Sequence, residues 1–255
     1  MTDTPRQQPD DATFLAEYDA SAFARPTVAV DVVVLTVVER ELRCLLMQRP
    51  EPPHAGRWSL PGVIVGIEEG LDSAARRALS DKAGLTDVFV EQLYTFGAPD
   101  RDPRTRMISV AHLALLPHQR LADTGLAGAT TALATVTLPP DARAGDLSPL
   151  LVTGAGGAPL DLAFDHAAII ATAVERIRGK LDYAAIGYEL LPELFPLRDL
   201  QRIHETILGR ELNTDSFRRR IVQSGLAVAT GVRETETTYR PAELYRFARD
   251  HGRRD

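Results

Sequence analysis

The sequence predicts a mixed α/β domain followed by a smaller domain of two helices and a β-hairpin. Three observations favour this fold class. β-Branched runs joined by polar turns fill the first half, an alanine-rich helical segment interrupts them, and two segments with clear helix-end signals precede strand-like stretches near the end. Strands and helices mixed in this way within one segment are typical of an α/β domain.

The predicted sheet follows a polar leader that we assign to residues 1–25. Residues 27–38 are rich in valine, and a short polar turn separates them from a second apolar run over residues 42–48. This pattern indicates two adjacent strands. Two further strands are expected over residues 89–96 and 107–116, separated by a polar loop.

Two helices are expected to flank this sheet. The first begins at Asp72 or Ser73 and ends near Gly84, because glycine commonly ends a helix. The second begins after Asp165, a residue type that caps helices, and carries apolar residues on one face. These residues are Ile169, Ile170, Ala173, Val174 and Ile177. Only loops and weak strands are expected over residues 120–160, and we place the end of this domain near residue 180, which gives it residues 26–180.

The last segment, residues 181–255, predicts a winged helix-turn-helix domain. Pro196 opens a helix that stops at Gly209, and Asn213 or Thr214 caps a second helix that stops at Gly225. Strand-like stretches follow over residues 226–232 and 237–240. A helix, a short turn, a second helix and a hairpin occur in this order in winged helix-turn-helix domains. Pro241 is expected to open a last short helix through Tyr245 and Phe247.

Composition and charge narrow the class of protein. Cys44 is the only cysteine among 255 residues, so no intramolecular disulfide can form, and its apolar neighbours predict a buried thiol. Residues 1–175 hold 14 Lys+Arg against 23 Asp+Glu, whereas residues 176–255 hold 15 against 12, so the last part of the chain is basic. No segment has the apolar length of a signal peptide or a membrane span. We therefore expect a cytoplasmic protein that does not associate with membranes.

The segment from Leu60 to Leu85 resembles the Nudix box, a pattern of glycine, glutamate, an Arg-Glu pair and a Glu-Glu pair at fixed spacing. Anchored on Gly84, the segment places Glu69 and Arg77 correctly. The three helical glutamates of the pattern are then replaced by Ala78, Asp81 and Lys82. Anchored instead on Gly62, the segment recovers Glu68 and Arg76, and the acid positions hold Arg77, Ser80 and Asp81. Neither alignment contains a helical glutamate.

The loss of the helical glutamates weakens any binding of a divalent metal ion. Positions 78, 81 and 82 share one helical face, where clustered carboxylates would hold divalent cations against a pyrophosphate. Ala78 removes one ligand, and Lys82 adds a positive charge whose repulsion of a cation at about 4 Å is of order several kcal/mol. We therefore assign no catalytic residue, no metal ligand and no cofactor.

The whole arrangement resembles the Nudix-related transcriptional regulators of NAD metabolism, the NrtR family. The resemblance runs from about Tyr18 to Phe247 and rests on several segments in order. They are Val28–Asp31, Gln48–Pro50, the degraded box, Tyr94–Arg104, Leu162–His166, Leu200–Gln201, Ile207–Arg210, Phe217–Arg219 and Arg240–Ala242. The resemblance implies a DNA-binding repressor of NAD biosynthesis or salvage genes. Its Nudix domain would bind ADP-ribose or a related nucleotide and thereby release the operator.

The resemblance also implies which residues bind the nucleotide. Arginines can hold a diphosphate, and aromatic rings can stack on adenine, without a metal. We expect the pocket residues to be Arg49, Trp58, Glu69, Phe96, Arg101 and Arg104. The alternative for Trp58 and Phe96 is a place in the core. For Arg101 and Arg104 it is a solvated turn paired with Asp100 and Asp102.

In the winged helix, the second helix is expected to enter the major groove of double-stranded DNA. Ser216, Arg218, Arg219 and Arg220 would divide between phosphates and base edges, and Arg240 would contact the backbone near the hairpin. One module of this size binds weakly, so we expect a homodimer on a palindromic operator.

Two other interpretations stay open. The chain is an active ADP-ribose or sugar-nucleotide pyrophosphatase if Glu68, Glu69 and Asp81 recruit a metal. It is a nucleotide-sensing scaffold if the basic domain binds proteins instead of DNA.

Overall fold

The computed structural model describes residues 10–125, 130–140, 150–181, 184–235 and 241–248. The helices are α1 (Asp11–Glu17), α2 (Leu71–Ala83), α3 (His118–Ala122), α4 (His166–Lys180), α5 (Leu197–Leu208) and α6 (Thr214–Ser224). The strands are β1 (Thr27–Val38), β2 (Glu41–Gln48), β3 (Trp58–Ser59), β4 (Gly62–Ile64), β5 (Phe89–Phe96), β6 (Met107–Leu115), β7 (Thr131–Thr137), β8 (Leu151–Thr153), β9 (Phe195–Pro196), β10 (Ala227–Arg233) and β11 (Glu243–Phe247). Short 3₁₀ helices lie at Ala20–Ala22, Ala155–Gly157 and Ala185–Leu190. Within the described ranges, no helix has the length and apolarity needed to cross a membrane.

The α/β domain is built on one mixed sheet with the strand order β5-β6-β1-β2-β7-β8. β1 runs parallel to β6 and antiparallel to β2, while β3 extends β2 and β4 pairs with β1. The two hairpin strands predicted from the valine-rich run and its successor are therefore confirmed, as are the strands at Phe89 and Met107.

β1 lies at the centre of the sheet and is buried on both faces. Val30, Val32 and Val34 pack on the side of α2, whereas Val33 and Leu35 pack on the side of α4. This alternation follows from the period of two along a strand. A run of β-branched residues without polar alternation is the pattern of a strand covered on both faces.

The winged-helix domain consists of α5, α6 and a small sheet of order β10-β11-β9. Gly209 and Gly225 end the two helices in left-handed conformations, with φ angles of 66° and 69°. Asn213 caps α6, since its side chain accepts a hydrogen bond from the Ser216 N–H at 3.0 Å. The predicted starts and stops of both helices are thus confirmed.

One element of this domain was predicted incorrectly. The segment after Pro241 is a strand, β11, and not a short helix. Tyr245 and Phe247 are two residues apart, so a strand places both rings on one face, where they pack against the core and Phe247 stacks on Tyr188 at 4.6 Å. The predicted strand over residues 237–240, and Arg240 with it, lies outside the described residues.

The start of α2 and the cap of α4 also differ from expectation. α2 begins one residue early, and its N-cap, Gly70, provides no side-chain hydrogen bond. Asp165 does occupy the N-cap position of α4, but its carboxylate does not cap the helix. It binds Arg101 instead. The apolar face predicted for α4 is buried, and so is the Cys44 thiol. The domain limits at residues 25 and 180 stay predictions.

The two domains share a continuous apolar core and close polar contacts. Arg178, near the end of α4, donates hydrogen bonds to the Ile207 carbonyl of α5 at 2.8 Å and to the Pro139 carbonyl at 3.0 Å, as well as to Leu138. A β-carbon added at Gly209 would lie 2.9 Å from Cγ of Pro140. The end of α5 is therefore seated directly against the segment that follows β7.

The pair of helix-ending glycines offers a matched test of this contact. Both have positive φ, so replacing either by alanine introduces backbone strain of about 1 kcal/mol or more. At Gly225 an added β-carbon meets nothing within 4 Å, whereas at Gly209 it meets Pro140. We expect Gly209→Ala to lower the free energy of unfolding by roughly 1 kcal/mol more than Gly225→Ala, measured by urea denaturation. Equal losses would show that the domains do not meet at Gly209.

Candidate functional site

A cavity of about 280 Å³ opens at the end of the central sheet, beside β1, β2 and the turn between β3 and β4. Its charged walls come from the strands, from the loop after β5 and from the last turn of α2. The ionisable residues that line it are Asp31, Arg49, Lys82, Arg101, Asp102, Arg104 and His166. The cavity therefore combines four cationic side chains with two carboxylates, a composition suited to an anionic ligand.

Arg101 is the buried centre of this site, with its side chain only 3% exposed. Its guanidinium donates two hydrogen bonds to the Asp165 carboxylate, at 2.7 and 2.9 Å, and a longer one to Asp31 at 3.5 Å. Burial by itself would lower the pKa of Arg101, but the hydrogen bonds to Asp165 and the charge of Asp31 raise it. The loop after β5, β1 and the start of α4 are thus joined by one ionic contact.

Asp31 is held from three sides. Ser109 on β6 donates its hydroxyl to Asp31 at 2.6 Å, and Nε2 of His166 lies 3.8 Å from the other carboxylate oxygen. Nδ1 of His166 accepts the Leu60 N–H at 2.9 Å, so this nitrogen carries no proton. Gly62 is required beside them, because a β-carbon there would lie 2.3 Å from the Asp31 carboxylate.

The ring of Phe164 forms cation-π contacts with the two remaining arginines of the cavity. The guanidinium carbon of Arg49 lies 4.8 Å from the ring centroid and that of Arg104 lies 5.7 Å away. Arg49 also donates from Nε to the Pro53 carbonyl at 2.8 Å, whereas Arg104 binds both oxygens of Asp102 at 2.7 and 3.0 Å. These contacts orient both guanidinium groups at the cavity wall.

The structure brings together only part of the predicted pocket. Arg49, Arg101 and Arg104 line the cavity, and Arg104 pairs with Asp102 as the alternative interpretation proposed. Arg101 instead faces inward, and Asp165 and Asp31 are its carboxylate partners. Among the described residues, Trp58, Phe96 and Glu69 do not line this cavity, and the two aromatic rings are half-buried against the core. Ligand binding by all six residues stays a prediction.

Glu69 lies outside this cavity and accepts hydrogen bonds from Arg77 and Gly66. Arg77 donates to both of its oxygens at 2.8 Å, and the Gly66 N–H donates at 3.0 Å. These bonds, first that from Arg77, lower the pKa of Glu69 to about 2. Arg77 also donates to the Ile64 carbonyl, so the pair ties α2 to the end of β4. The pair formed is the one expected when the box is anchored on Gly84.

The residues of the box do not fit a divalent cation. Ala78 of α2 is fully buried, and its side chain has no oxygen. Lys82 is a cation in the cavity wall, and Arg77 donates to both carboxylate oxygens of Glu69. Within the described ranges, no three or more His, Cys, Asp or Glu side chains are grouped as metal ligands. Magnesium prefers several oxygen ligands in octahedral geometry, which Ala78, Lys82 and the Arg77-bound Glu69 do not supply.

The predicted DNA-reading residues lie together on α6. Ser216, Arg218, Arg219 and Arg220 are exposed, while Phe217 and Ile221 of the same helix are buried. The guanidinium of Arg220 lies 5.6 Å from the centroid of the Phe217 ring. Arg240 cannot be placed, because it lies outside the described residues. DNA contacts by these five residues stay predictions.

A hydrogen-bonded turn holds α6 against α5. The amide nitrogen of Gln201 donates to the Leu212 carbonyl and to the Thr214 hydroxyl, both at 3.1 Å, and to Glu205 at 2.9 Å. Glu205 also accepts the Leu212 N–H at 3.1 Å and the guanidinium of Arg40, on the turn between β1 and β2, at 3.2 Å. The angle of α6 is therefore fixed by polar contacts from α5.

Sequence reasoning did not assign Asp31, Lys82, Phe164 or His166 to the pocket. Phe164 and His166 belong to the segment Leu162–His166, which contributed to the family resemblance but gave no role to single residues. Phe164 has a φ of 51°, a backbone conformation that is rare for a bulky residue and that no local pattern announces. Their proximity to Arg49 arises only from the fold.

The buried histidine gives the site a pH-dependent contribution to stability. Burial lowers the pKa of His166 below its usual value, against the opposite effect of Asp31 and Asp165. As the pH falls below about 6.5, the unfolded chain binds a proton before the folded chain does, so stability is lost. We expect the free energy of unfolding to fall more steeply between about pH 7.5 and about pH 5.5 in this protein than in His166→Gln. Parallel urea-denaturation profiles would contradict this assignment.

Two family models match the chain. A model of the NUDIX domain matches residues 25–140, and a model of the NrtR DNA-binding winged helix domain matches residues 187–247. An ADPR responsive transcriptional repressor, NtrR, from Acinetobacter baylyi is 34% identical over 241 residues, which are 92% of this chain and 87% of that protein. An ADP-ribose pyrophosphatase from Methanocaldococcus jannaschii is 32% identical, but over only 36% of this chain and 52% of that protein.

Among solved structures, Shewanella oneidensis NrtR complexed with a 27mer DNA is similar over most of the chain. The match has a TM-score of 0.69 at 31% identity and covers 88% of this chain and 95% of that one. The predicted fold class, with a Nudix-like domain before a winged helix, is confirmed. Because both domains and their order match, this chain belongs to the NrtR family of Nudix-related transcriptional regulators.

Proposed function

We propose that this protein is a transcriptional repressor of NAD biosynthesis or salvage genes and leaves its operator when ADP-ribose, or a related nucleotide, binds the Nudix domain. The observation that carries the proposal is the row of three exposed arginines on α6 of a winged helix, in a chain whose other domain contains a cation-lined cavity. The similarity to a repressor named as responsive to ADPR supports the effector.

The position of the arginines supports DNA as the partner. A winged helix-turn-helix domain presents its second helix to the major groove, and α6 is that helix. Phe217 and Ile221 anchor it from below, which leaves Arg218 and Arg219 pointing outward. Arginine is the residue that most often reads guanine and also binds phosphates. The related Shewanella oneidensis protein was crystallised with DNA, which favours DNA over a protein partner.

The composition of the cavity supports a nucleotide effector. Arginine guanidinium groups pair with phosphate oxygens, and Arg49 and Arg104 are held at the wall by Phe164. We propose that they bind the phosphates, together with Arg101 as the buried base of the site. Trp58, Phe96 and Glu69 would then act indirectly, by shaping the walls behind the cavity.

We further propose that the Nudix domain does not hydrolyse its ligand and needs no cofactor. The helical glutamates of the box are absent from α2, where Asp81 is the one acid left at those positions, and Glu69 is bound by Arg77. A repressor of this kind gains from inactivity, because the signal persists while it is bound.

The protein would act in the cytoplasm as a homodimer. Two copies related by a two-fold axis would present two α6 helices to the half-sites of a palindromic operator, which multiplies the affinity of one small module. Binding of this type weakens steeply as salt increases.

DNA binding is tested by a mobility shift with DNA from upstream of NAD-biosynthesis genes of the source genome. We expect specific retardation that ADP-ribose reverses. Replacing both Arg218 and Arg219 by alanine should weaken binding by at least about tenfold, since each base or phosphate contact is worth roughly 1–3 kcal/mol. Arg76→Ala removes an exposed arginine of the α/β domain and serves as the matched control. Retention of full affinity by the double variant would refute the role of α6.

Hydrolysis is tested separately by following AMP release from ADP-ribose with and without magnesium. We expect no magnesium-dependent release above background, because the box lacks its helical glutamates. The active-pyrophosphatase interpretation predicts the opposite, with turnover that Glu69→Gln abolishes. Release that depends on both magnesium and Glu69 would establish an enzyme and end the proposal of an inactive domain.

A further inference from the structure

Two cations of the cavity form no ion pair with a carboxylate among the residues that the structure describes. Arg101 is bound by Asp165 and Asp31, and Arg104 is bound by Asp102. Within the part of the chain that the structure describes, no ion pair within 4 Å joins Arg49 or Lys82 to an acidic group, although both line the same cavity.

The two cations reach the cavity from different elements. Arg49 follows β2 and is fixed by the Pro53 carbonyl and by the Phe164 ring, at 2.8 and 4.8 Å. Lys82 belongs to the last turn of α2, on the face where a hydrolase of this fold would carry acids. Burial, and then the neighbouring charge of Arg104, lowers the pKa of Arg49, while the charges of Asp102, Glu51 and Asp31 act in the opposite direction. An anion placed beside Arg49 would relieve that cost.

We infer that Lys82 is a ligand-binding residue and that, with Arg49, it neutralises a diphosphate directly, in place of a divalent metal ion. This inference rests on the proposed function, because it concerns the ligand of the same cavity. A diphosphate diester carries two negative charges, and two cations that form no ion pair with a described acidic group match that charge without metal. Lys82 therefore has a function at a position where the Nudix box carries glutamate. Its positive charge repels magnesium and attracts the diphosphate.

The experiment is titration calorimetry of the full chain with ADP-ribose, in buffer with excess EDTA and in buffer with magnesium chloride. The wild-type affinity should agree within about twofold between the two buffers. In EDTA, Lys82→Gln should bind about tenfold more weakly and Lys82→Glu about a hundredfold more weakly, while Lys82→Arg should remain close to wild type. Arg76→Gln removes a positive charge from the exposed face of the same helix and should change the affinity by less than about twofold.

The outcomes distinguish the inference about Lys82 from the proposed effector. A wild-type protein that binds ADP-ribose only with magnesium, or a Lys82→Gln variant with wild-type affinity, would overturn the inference and leave the proposed effector intact. Titration with ADP, which presents the diphosphate without the second ribose, separates the remaining case. If ADP binds in a Lys82-dependent way and ADP-ribose does not, the diphosphate site stands and the effector is wrong. If neither ligand binds in either buffer, both proposals are wrong.

Discussion

The contact on which the rest of the structure depends is the buried ion pair between Arg101 and Asp165. A guanidinium that is almost fully buried must be compensated, because removing one partner of such a pair leaves a charge that the interior cannot solvate. Asp165 meets this need at the first turn of α4, and Asp31 adds a second carboxylate from β1. The loop after β5, the central strand and α4 are consequently fixed to one another at the floor of the cavity. This constraint also explains why Asp165, a residue suited to capping, does not cap its own helix.

α4 extends this constraint to the DNA-binding domain. Its first residue, His166, lines the cavity, and Arg178 near its other end binds the last turn of α5 and the segment after β7. Between these ends the helix is buried along Ile169, Ile170, Ala173, Val174 and Ile177, in the same apolar cluster as the core of the winged helix. A packed helix responds to a change at one end by moving as a body, because its interior contacts leave no room for local adjustment. One packed helix therefore connects the cavity to the last turn of α5.

How much of this could be predicted from the sequence depends on the range of the interactions. Helix ends at Gly84, Gly209 and Gly225 are local events that glycine alone decides, and the two faces of β1 follow from side-chain alternation, so these features were predictable. The strand at Glu243–Phe247 was not, because its pairing with β9 joins residues about fifty positions apart. The cavity was predicted in part for the same reason. The arginines were recognised by their chemistry, whereas Phe164 and Lys82 join them only through the fold. The roles expected of Trp58 and Phe96, whose rings pack partly against the core, stay predictions.

Burial and charge together explain why the degraded box does not form a metal site. Glu69 and Arg77 persist as a brace between α2 and β4, which a domain of this fold needs whether or not it performs chemistry. Ala78 is completely buried among Val30, Val32 and Val34 and their neighbours, so its small side chain lets α2 lie close to the sheet. A glutamate at that position would need both space and a charge partner that the packed interface does not contain. The packing of α2 against the sheet therefore disfavours a glutamate at position 78. Restoring carboxylates on the exposed turn near Lys82 would not by itself rebuild a metal site.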